Sequence, residues 1–263
     1  MDIIRRNNVR IRGNGTVAMM FAHGFGCDQN MWRFVAPAFE KDFRTVLFDH
    51  VGSGASDLSA YSSAKYATLE GYASDIVEIG RTLALRNAVF VGHSVSAMMG
   101  IMAAIEAPEI FSRLVLVGPS PSYIDDGDYV GGFTREQIDE LLKSLDENHL
   151  GWSMAMAPMI MGNPERPELA EELANSFCRT DPKITREFAR TTFLTDARHV
   201  LETDVPALIL QCSNDVVAPL DVGNYMHAKM RQSTLVIMKA TGHCPNLSAP
   251  QETIDAMRAY LCG

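Results

Sequence analysis

Three residues of this 263-residue chain could together open a carbonyl compound: Ser94, Asp215 and His243. Ser94 stands in "VFVGHSVSAMMG" (89–100), where β-branched apolar residues pass through Gly92 and His93 into small, helix-favouring ones. That is the order of a strand, a sharp turn and a helix. It nearly matches the G-x-S-x-G nucleophile elbow, with Ser96 where the second glycine belongs. A serine hydroxyl is a weak nucleophile at its own pKa, so it needs a base, a carboxylate to orient the base, and oxyanion donors. Asp215 follows the apolar run "ALILQC" in "SNDVVAP", and His243 lies 28 residues further on (243 − 215) in "KATGHCPNLSAP". The expected oxyanion donors are the backbone N–H of Val95, at the helix start, and that of Phe25 in "HGFG" (23–26). The glycines beside Phe25 let backbone approach a substrate closely, and its ring is expected to floor the pocket.

Taken singly, each signal has a plainer reading. A serine after G-x is common, Asp215 could be a turn-forming Asx residue, and His243 a satisfied half-buried histidine. Their occurrence in order, each after an apolar run, is what points to a site. At position 96 the crossing of helix over strand demands a small side chain, which serine provides. Its hydroxyl is expected to bond back to helix carbonyls or join the first turn. His93 precedes the nucleophile and faces either the sheet or the pocket wall. His50, His149, His199 and His227 have no partner at ligand spacing and read as structural or exposed. "DHVGSGAS" (49–56) is a tight glycine turn that reads as scaffold. The chain has no G-x-x-x-x-G-K-[ST], no G-x-G-x-x-G after a strand and no H-E-x-x-H, so no cofactor and no metal are expected.

The elements that must hold these residues are legible in the hydrophobic pattern. Short apolar runs at 16–22, 44–49, 88–92, 113–118, 206–212 and 234–240 read as buried parallel strands. Helical patterns lie between them, such as 70–85 with Tyr72, Ile76, Ile79 and Leu83 on one face. The alternation predicts an α/β, mostly parallel, doubly wound sheet with right-handed crossovers. It stops after Pro119 and resumes near Val205, an interval too long for a loop. Residues 121–195 are therefore expected to form a helical lid, with 1–120 and 196–263 as the core. Within the lid, "EQIDELLKSLDENHLGW", "ELAEELANSF" and "KITREFARTTF" are separated by the breakers Pro158, Gly162, Pro164, Pro167 and Pro182. Met154, Met156, Met159 and Met161 cluster near Trp152 and are expected to face the pocket.

Composition narrows the partners. With 47% hydrophobic and 21% charged residues, the chain suits one folding unit. A net charge of −9 without a Lys/Arg cluster argues against nucleic acid or an anionic membrane as partner, and it gives anionic substrates no steering. The charged N-terminus and the lack of 18 uninterrupted apolar residues predict a cytoplasmic protein; a monomer or a weak dimer is expected. Five cysteines with no C-x-x-C pair indicate neither a disulfide framework nor a zinc site, and most read as small core residues.

The chain order Ser, Asp, His is that of α/β hydrolases. The segments "HGFGCDQNMW", "FDHVGSGASD", "VGHSVSAMMG", "VGPSPSY", "GGF", "RTDP", "ILQCSND" and "GHCPNLSAP" spread over nearly the whole chain. In these it resembles the RsbQ-type α/β hydrolases, which are similar to the plant karrikin and strigolactone receptors; "GHSVSAM" resembles the plant branch. The resemblance implies an α/β-hydrolase fold with a Ser94–His243–Asp215 triad, an oxyanion hole at Phe25 and Val95, and a four-helix lid. Beneath that lid it implies a small hydrophobic pocket with Tyr123, Phe133, Trp152 and Phe193 around it, to which Phe25 and His93 are added as candidate lining from their place beside the nucleophile. Met156 stands where the plant receptors tend to have an aromatic residue, which makes the pocket softer. The activity implied is hydrolysis of a small hydrophobic ester or butenolide-type lactone, in a signalling or stress-regulatory role with a partner protein such as a phosphatase. Two alternatives stay open: a ligand-binding sensor with little or no turnover that recruits a partner, and a metabolic short-chain carboxylesterase.

Overall fold

In the computed structural model, which describes residues 2–262, seven strands form one sheet: β1 (Arg10–Arg12), β2 (Ala18–Ala22), β3 (Arg44–Leu47), β4 (Ala88–His93), β5 (Phe111–Val117), β6 (Ala207–Asn214) and β7 (Ser233–Thr241). Their spatial order is β1-β3-β2-β4-β5-β6-β7. Six strands arise from the six apolar runs and pair in parallel, whereas β1 joins the edge antiparallel to β3. The hydrophobic pattern does not reveal β1, because "RIR" is exposed along its whole length and carries two arginines on a solvated edge.

Successive residues of a strand point to opposite faces, so the buried strands feed two cores. Met20, Phe90, Leu114 and Ile209 pack on one side of the sheet, and Phe21, Val91, Val115 and Leu210 on the other. The first side receives the helices α1 (Ile3–Arg6), α2 (Leu69–Thr82) and α3 (Val95–Glu106). In α2, Tyr72, Ile76 and Ile79 are buried as the spacing predicts, but the helix ends at Thr82 and Leu83 only caps it. Ala84 there takes a positive φ of 49°, which ends the helical run three residues before the pattern suggests.

Between β5 and β6 lie four helices: α4 (Arg135–Glu147), α5 (His149–Met161), α6 (Pro167–Cys178) and α7 (Pro182–Leu194). Their boundaries follow local chemistry. Thr134 and Gln137 form a reciprocal capping box that starts α4. Asn148 ends α4, and its side chain accepts from Gly151 N–H to start α5, so "EQIDELLKSLDENHLGW" is two helices rather than one. Pro167 and Pro182 occupy first-turn positions, where a missing N–H costs nothing. Pro158 is not a breaker: α5 runs through it and stops at Gly162, which is left-handed at φ 60°. The carbonyl that Pro158 deprives of a donor belongs to Met154, on the exposed side of the helix where water can satisfy it. After β6 come α8 (Leu220–Lys229), α9 (Pro245–Ser248) and α10 (Pro250–Cys262). No helix among the described residues is long and apolar enough to cross a membrane.

The sheet order sets the place of any site. From β2 the chain moves outward to β3 and then returns to β4 on the other side of β2, so a crevice opens beyond the carboxyl ends of β2 and β4.

Candidate active site

Ser94 follows β4 at that crevice with φ 57° and ψ −128°, a conformation that L-residues other than glycine seldom adopt. Such strain, of order 1–3 kcal/mol, is held where the surroundings over-determine it. Here they do: Ser94 N–H donates to Val117 O at 2.8 Å, and a Cβ on Gly92 would lie 2.6 Å from the carbonyl oxygen of Ser96. The turn throws the Ser94 hydroxyl upward off the strand end and makes Val95 the first residue of α3.

His243, two residues beyond β7, places Nε2 2.8 Å from Ser94 Oγ and Nδ1 2.7 Å from Asp215 Oδ2. The carboxylate can only accept, so Nδ1 carries the proton and Nε2 is free to accept from the serine hydroxyl. Asp215 is itself held: its Oδ1 accepts from Val217 N–H at 2.8 Å and Ala218 N–H at 3.2 Å, leaving Oδ2 for the imidazole. Each of the three is at most 5% exposed. The loop carrying His243 is pinned from two directions. Its N–H donates to Ile160 O at the end of α5 at 2.8 Å, and its carbonyl accepts from His93 Nε2–H, also at 2.8 Å. His93 is thus both beside the pocket and a tether for the neighbouring loop, and burial pushes its pKa down to about 3, with the nearby His243 adding to the effect.

The N–H groups of Phe25 and Val95 bond to no partner among the described residues. The half-buried Phe25 ring makes tilted and edge contacts with four rings of the inserted helices: Trp152, Phe177, Phe188 and Phe193, at centroid distances of 5.5–6.2 Å. It therefore bridges the β2 loop to α5, α6 and α7.

The structure brings seven of the residues named from the sequence for the pocket to one cavity: Phe25, His93, Tyr123, Phe133, Trp152, Met156 and Phe193 all line it beside Ser94 and His243. Tyr123 sits closest to the chemistry, its hydroxyl 3.3 Å from Ser94 Oγ, and burial raises its pKa, so the phenol stays neutral. The four methionines divide. Met156 lines the cavity and Met161 is fully buried, but Met154 and Met159 are 60% and 56% exposed. On a helix, Trp152, Met156 and Ile160 recur at four-residue spacing on one face, which turns 154 outward, whereas Met159, seven residues from Trp152, sits at the solvent edge of that face. Leu173 and Phe177 also line the cavity without having been singled out; with Leu169 they form a four-residue-spaced stripe on α6 that the sequence does display. The free volume is only about 40 Å³, small beside the several hundred Å³ of most ligand pockets.

Cys27 and Cys244 also line the cavity. Burial raises both thiols, Cys27 to about 12, so they contribute apolar surface rather than thiolates. Cys212 is buried too, whereas Cys178 is half-buried and Cys262 exposed. His50, unpartnered in the sequence, is fully buried and contacts Ser96. Contrary to expectation, the Ser96 hydroxyl bonds to no carbonyl of its own helix: it donates to His23 O at 2.5 Å and accepts from His50 Nε2–H at 2.8 Å, with Met99 Sδ of α3 at 3.7 Å. The reason is that this flank of α3 faces the loops after β2 and β3, while its close approaches to β4 are made at Gly92 and Gly100.

The family model described as "Alpha/beta hydrolase family" matches residues 19–256. The chain is 34% identical over 257 residues to the karrikin insensitive 2 receptor CA of Petunia hybrida, covering 97% of this chain and 95% of that protein. It is 36% identical over 262 residues to the strigolactone esterase D14 of Arabidopsis thaliana, covering 99% and 98%. Among solved structures, a hydrolase from Oleispira antarctica superposes with a TM-score of 0.97 at 41% identity, covering 100% of this chain and 97% of that one.

Proposed function

The chain belongs to the alpha/beta hydrolase family, and from that premise we propose that it is a serine hydrolase for small, uncharged esters or lactones of the butenolide kind. The observation that carries this reading is the hydrogen-bonded series Ser94 Oγ, His243 Nε2, His243 Nδ1, Asp215 Oδ2 at the floor of an apolar cavity. In the reaction, Ser94 Oγ attacks the carbonyl carbon while His243 Nε2 takes its proton, and Asp215 stabilises the imidazolium. The oxyanion that forms is met by the N–H groups of Phe25 and Val95. His243 then passes the proton to the departing oxygen, and water, deprotonated by the same imidazole, releases the acyl group from Ser94.

The cavity argues for the substrate class. Its walls are apolar and aromatic, it holds no Lys or Arg, and its small free volume favours a short acyl group or a single ring. Long acyl thioesters and free acids fit neither its size nor its lack of a cation. In purified protein, Ser94→Ala should lower hydrolysis of p-nitrophenyl acetate by about 10³-fold or more. Near wild-type turnover by the folded variant would sink the reading.

A second reading, a ligand-responsive signalling module, is favoured by the outward face of α5. Leu150, Met154 and Met159 there are each more than half exposed on a helix with no charged residue. Isolated exposed apolar residues need no explanation, but on the solvent side of α5 Leu150 and Met154 stand four residues apart, with Met159 at the other edge of the exposed half, and such an apolar surface suits a protein partner. If signalling is the output, Met154→Glu with Met159→Glu should abolish ligand-dependent partner capture while hydrolysis stays within twofold; loss of both together would count against it.

A further inference from the structure

We propose that Ser96, with His50 behind it, is a positioning residue that sets the oxyanion-binding peptide of the β2 loop; the proposal rests on Ser94 being the nucleophile and Phe25 N–H an oxyanion donor. That N–H shares a peptide plane with the carbonyl of Gly24. The plane before it joins His23 C=O to Gly24 N–H. Both carbonyls are held. Gly24 O accepts from His23 Nδ1–H at 2.9 Å, which directs the Phe25 N–H at the other side of the same plane. His23 O accepts from the Ser96 hydroxyl at 2.5 Å.

Proton accounting fixes every direction in this network. His23 O can only accept, so the Ser96 proton lies there. His50 Nε2 must then donate to Ser96 Oγ, at 2.8 Å. His23 Nε2 accepts from His50 N–H at 3.1 Å, which leaves its proton on Nδ1, where Gly24 O uses it. Ser96 and His50 thereby connect α3, the β3 loop and the β2 loop through fully buried groups. Gly24 has no room to drift. A Cβ there would lie 2.6 Å from His93 Nδ1 and 3.2 Å from Ser94 Cβ, so the loop is pressed against the nucleophile and only the tilt of its peptides remains to be set. Glycine at position 96 cannot supply that restraint. Serine does so from two residues beyond the nucleophile.

The test uses Ser96→Ala, His50→Phe and their combination in the intact protein, with Ser94→Ala in parallel. His50→Phe keeps a ring among Phe48, Tyr72 and Phe188 while removing the donor. For p-nitrophenyl acetate each single variant should lower kcat about tenfold, the scale of a buried hydrogen bond lost, with KM within twofold. The dissociation constant of ethylboronic acid, which forms a tetrahedral adduct on Ser94 Oγ with an oxygen in the oxyanion hole, should rise by a similar factor. The double variant should lose no more than either single one. A merely structural hydroxyl would lower the melting temperature without moving boronate affinity relative to KM. The proposal is overturned if kcat and boronate affinity of Ser96→Ala stay within twofold of wild type, or if kcat falls with boronate affinity unchanged. Should Ser96→Ala fail to fold, the same criteria apply to His50→Phe. An active Ser94→Ala would instead overturn the reading of the nucleophile, so the two failures are told apart.

Discussion

Asp215 has its two oxygens committed to different work, and this makes its amide a sharp probe. Oδ1 takes the N–H groups of Val217 and Ala218, so in Asp215→Asn the amide oxygen stays on those donors and the NH₂ faces His243 Nδ1. The imidazole must then carry its proton on Nε2 and can no longer accept from Ser94. We expect kcat to fall by about 10⁴-fold with little change in melting temperature, as for a wrong tautomer in a well-kept geometry. A loss under tenfold, measured on a short p-nitrophenyl ester, would show that Asp215 does not set the tautomer.

At the scale of elements, α5 does two jobs from opposite faces and a third from its end. Trp152 and Met156 shape the cavity, Met154 meets solvent on the far side, and Ile160 O holds the His243 loop. Met156→Ala should enlarge a cavity that now has little free space, raising kcat/KM for p-nitrophenyl butyrate relative to acetate several-fold. Met154→Ala should leave that ratio unchanged and stability within about 0.5 kcal/mol, as for a surface site. Equal effects of the two substitutions would contradict the facing of the helix. The carboxyl end of α5 is also close-packed. A Cβ at Gly162 would lie 2.9 Å from Gly242 Cα, and the residue is left-handed, so Gly162→Ala should shift the His243 loop and lower both kcat and melting temperature.

For the whole molecule, the buried histidines set the acid limit. Burial holds His23, His50 and His93 neutral, with pKa values below the ordinary one, that of His93 at about 3. The unfolded chain protonates these side chains at a pH of about 6.5, the folded chain only further down. Their contribution to stability is therefore complete above that pH and is lost as pH falls toward the folded values. At pH 5 a group held as low as His93 forfeits about 2 kcal/mol. Urea unfolding at pH 7.5 and 5.0 should show a steep loss, smaller in His50→Phe by about one histidine's share. A stability that is flat over this range would mean that these side chains are protonated in the folded state.

The sequence by itself determined the parallel sheet, because six β-branched runs separated by amphipathic ones can bury themselves in few other ways. It likewise determined that Ser94, Asp215 and His243 each follow a strand, and that a long stretch of helical periodicity lies between β5 and β6, though not that its first segment is two helices. Local signals misled where solvent decided the outcome. Pro158 stays helical because the carbonyl it leaves without a donor belongs to Met154, an exposed residue, and Met154 faces outward because Trp152, Met156 and Ile160 occupy the inner stripe. What only the tertiary structure decided were contacts between residues far apart in the chain. The Ser94–His243 hydrogen bond spans 149 positions, His93 to His243 O spans 150, and Ser96 to His23 O spans 73. No periodicity encodes such pairs. They exist because the strand order sets the ends of β2, β4, β5, β6 and β7 near one another, and polar groups buried there must find their partners in whichever loop the sheet has brought beside them.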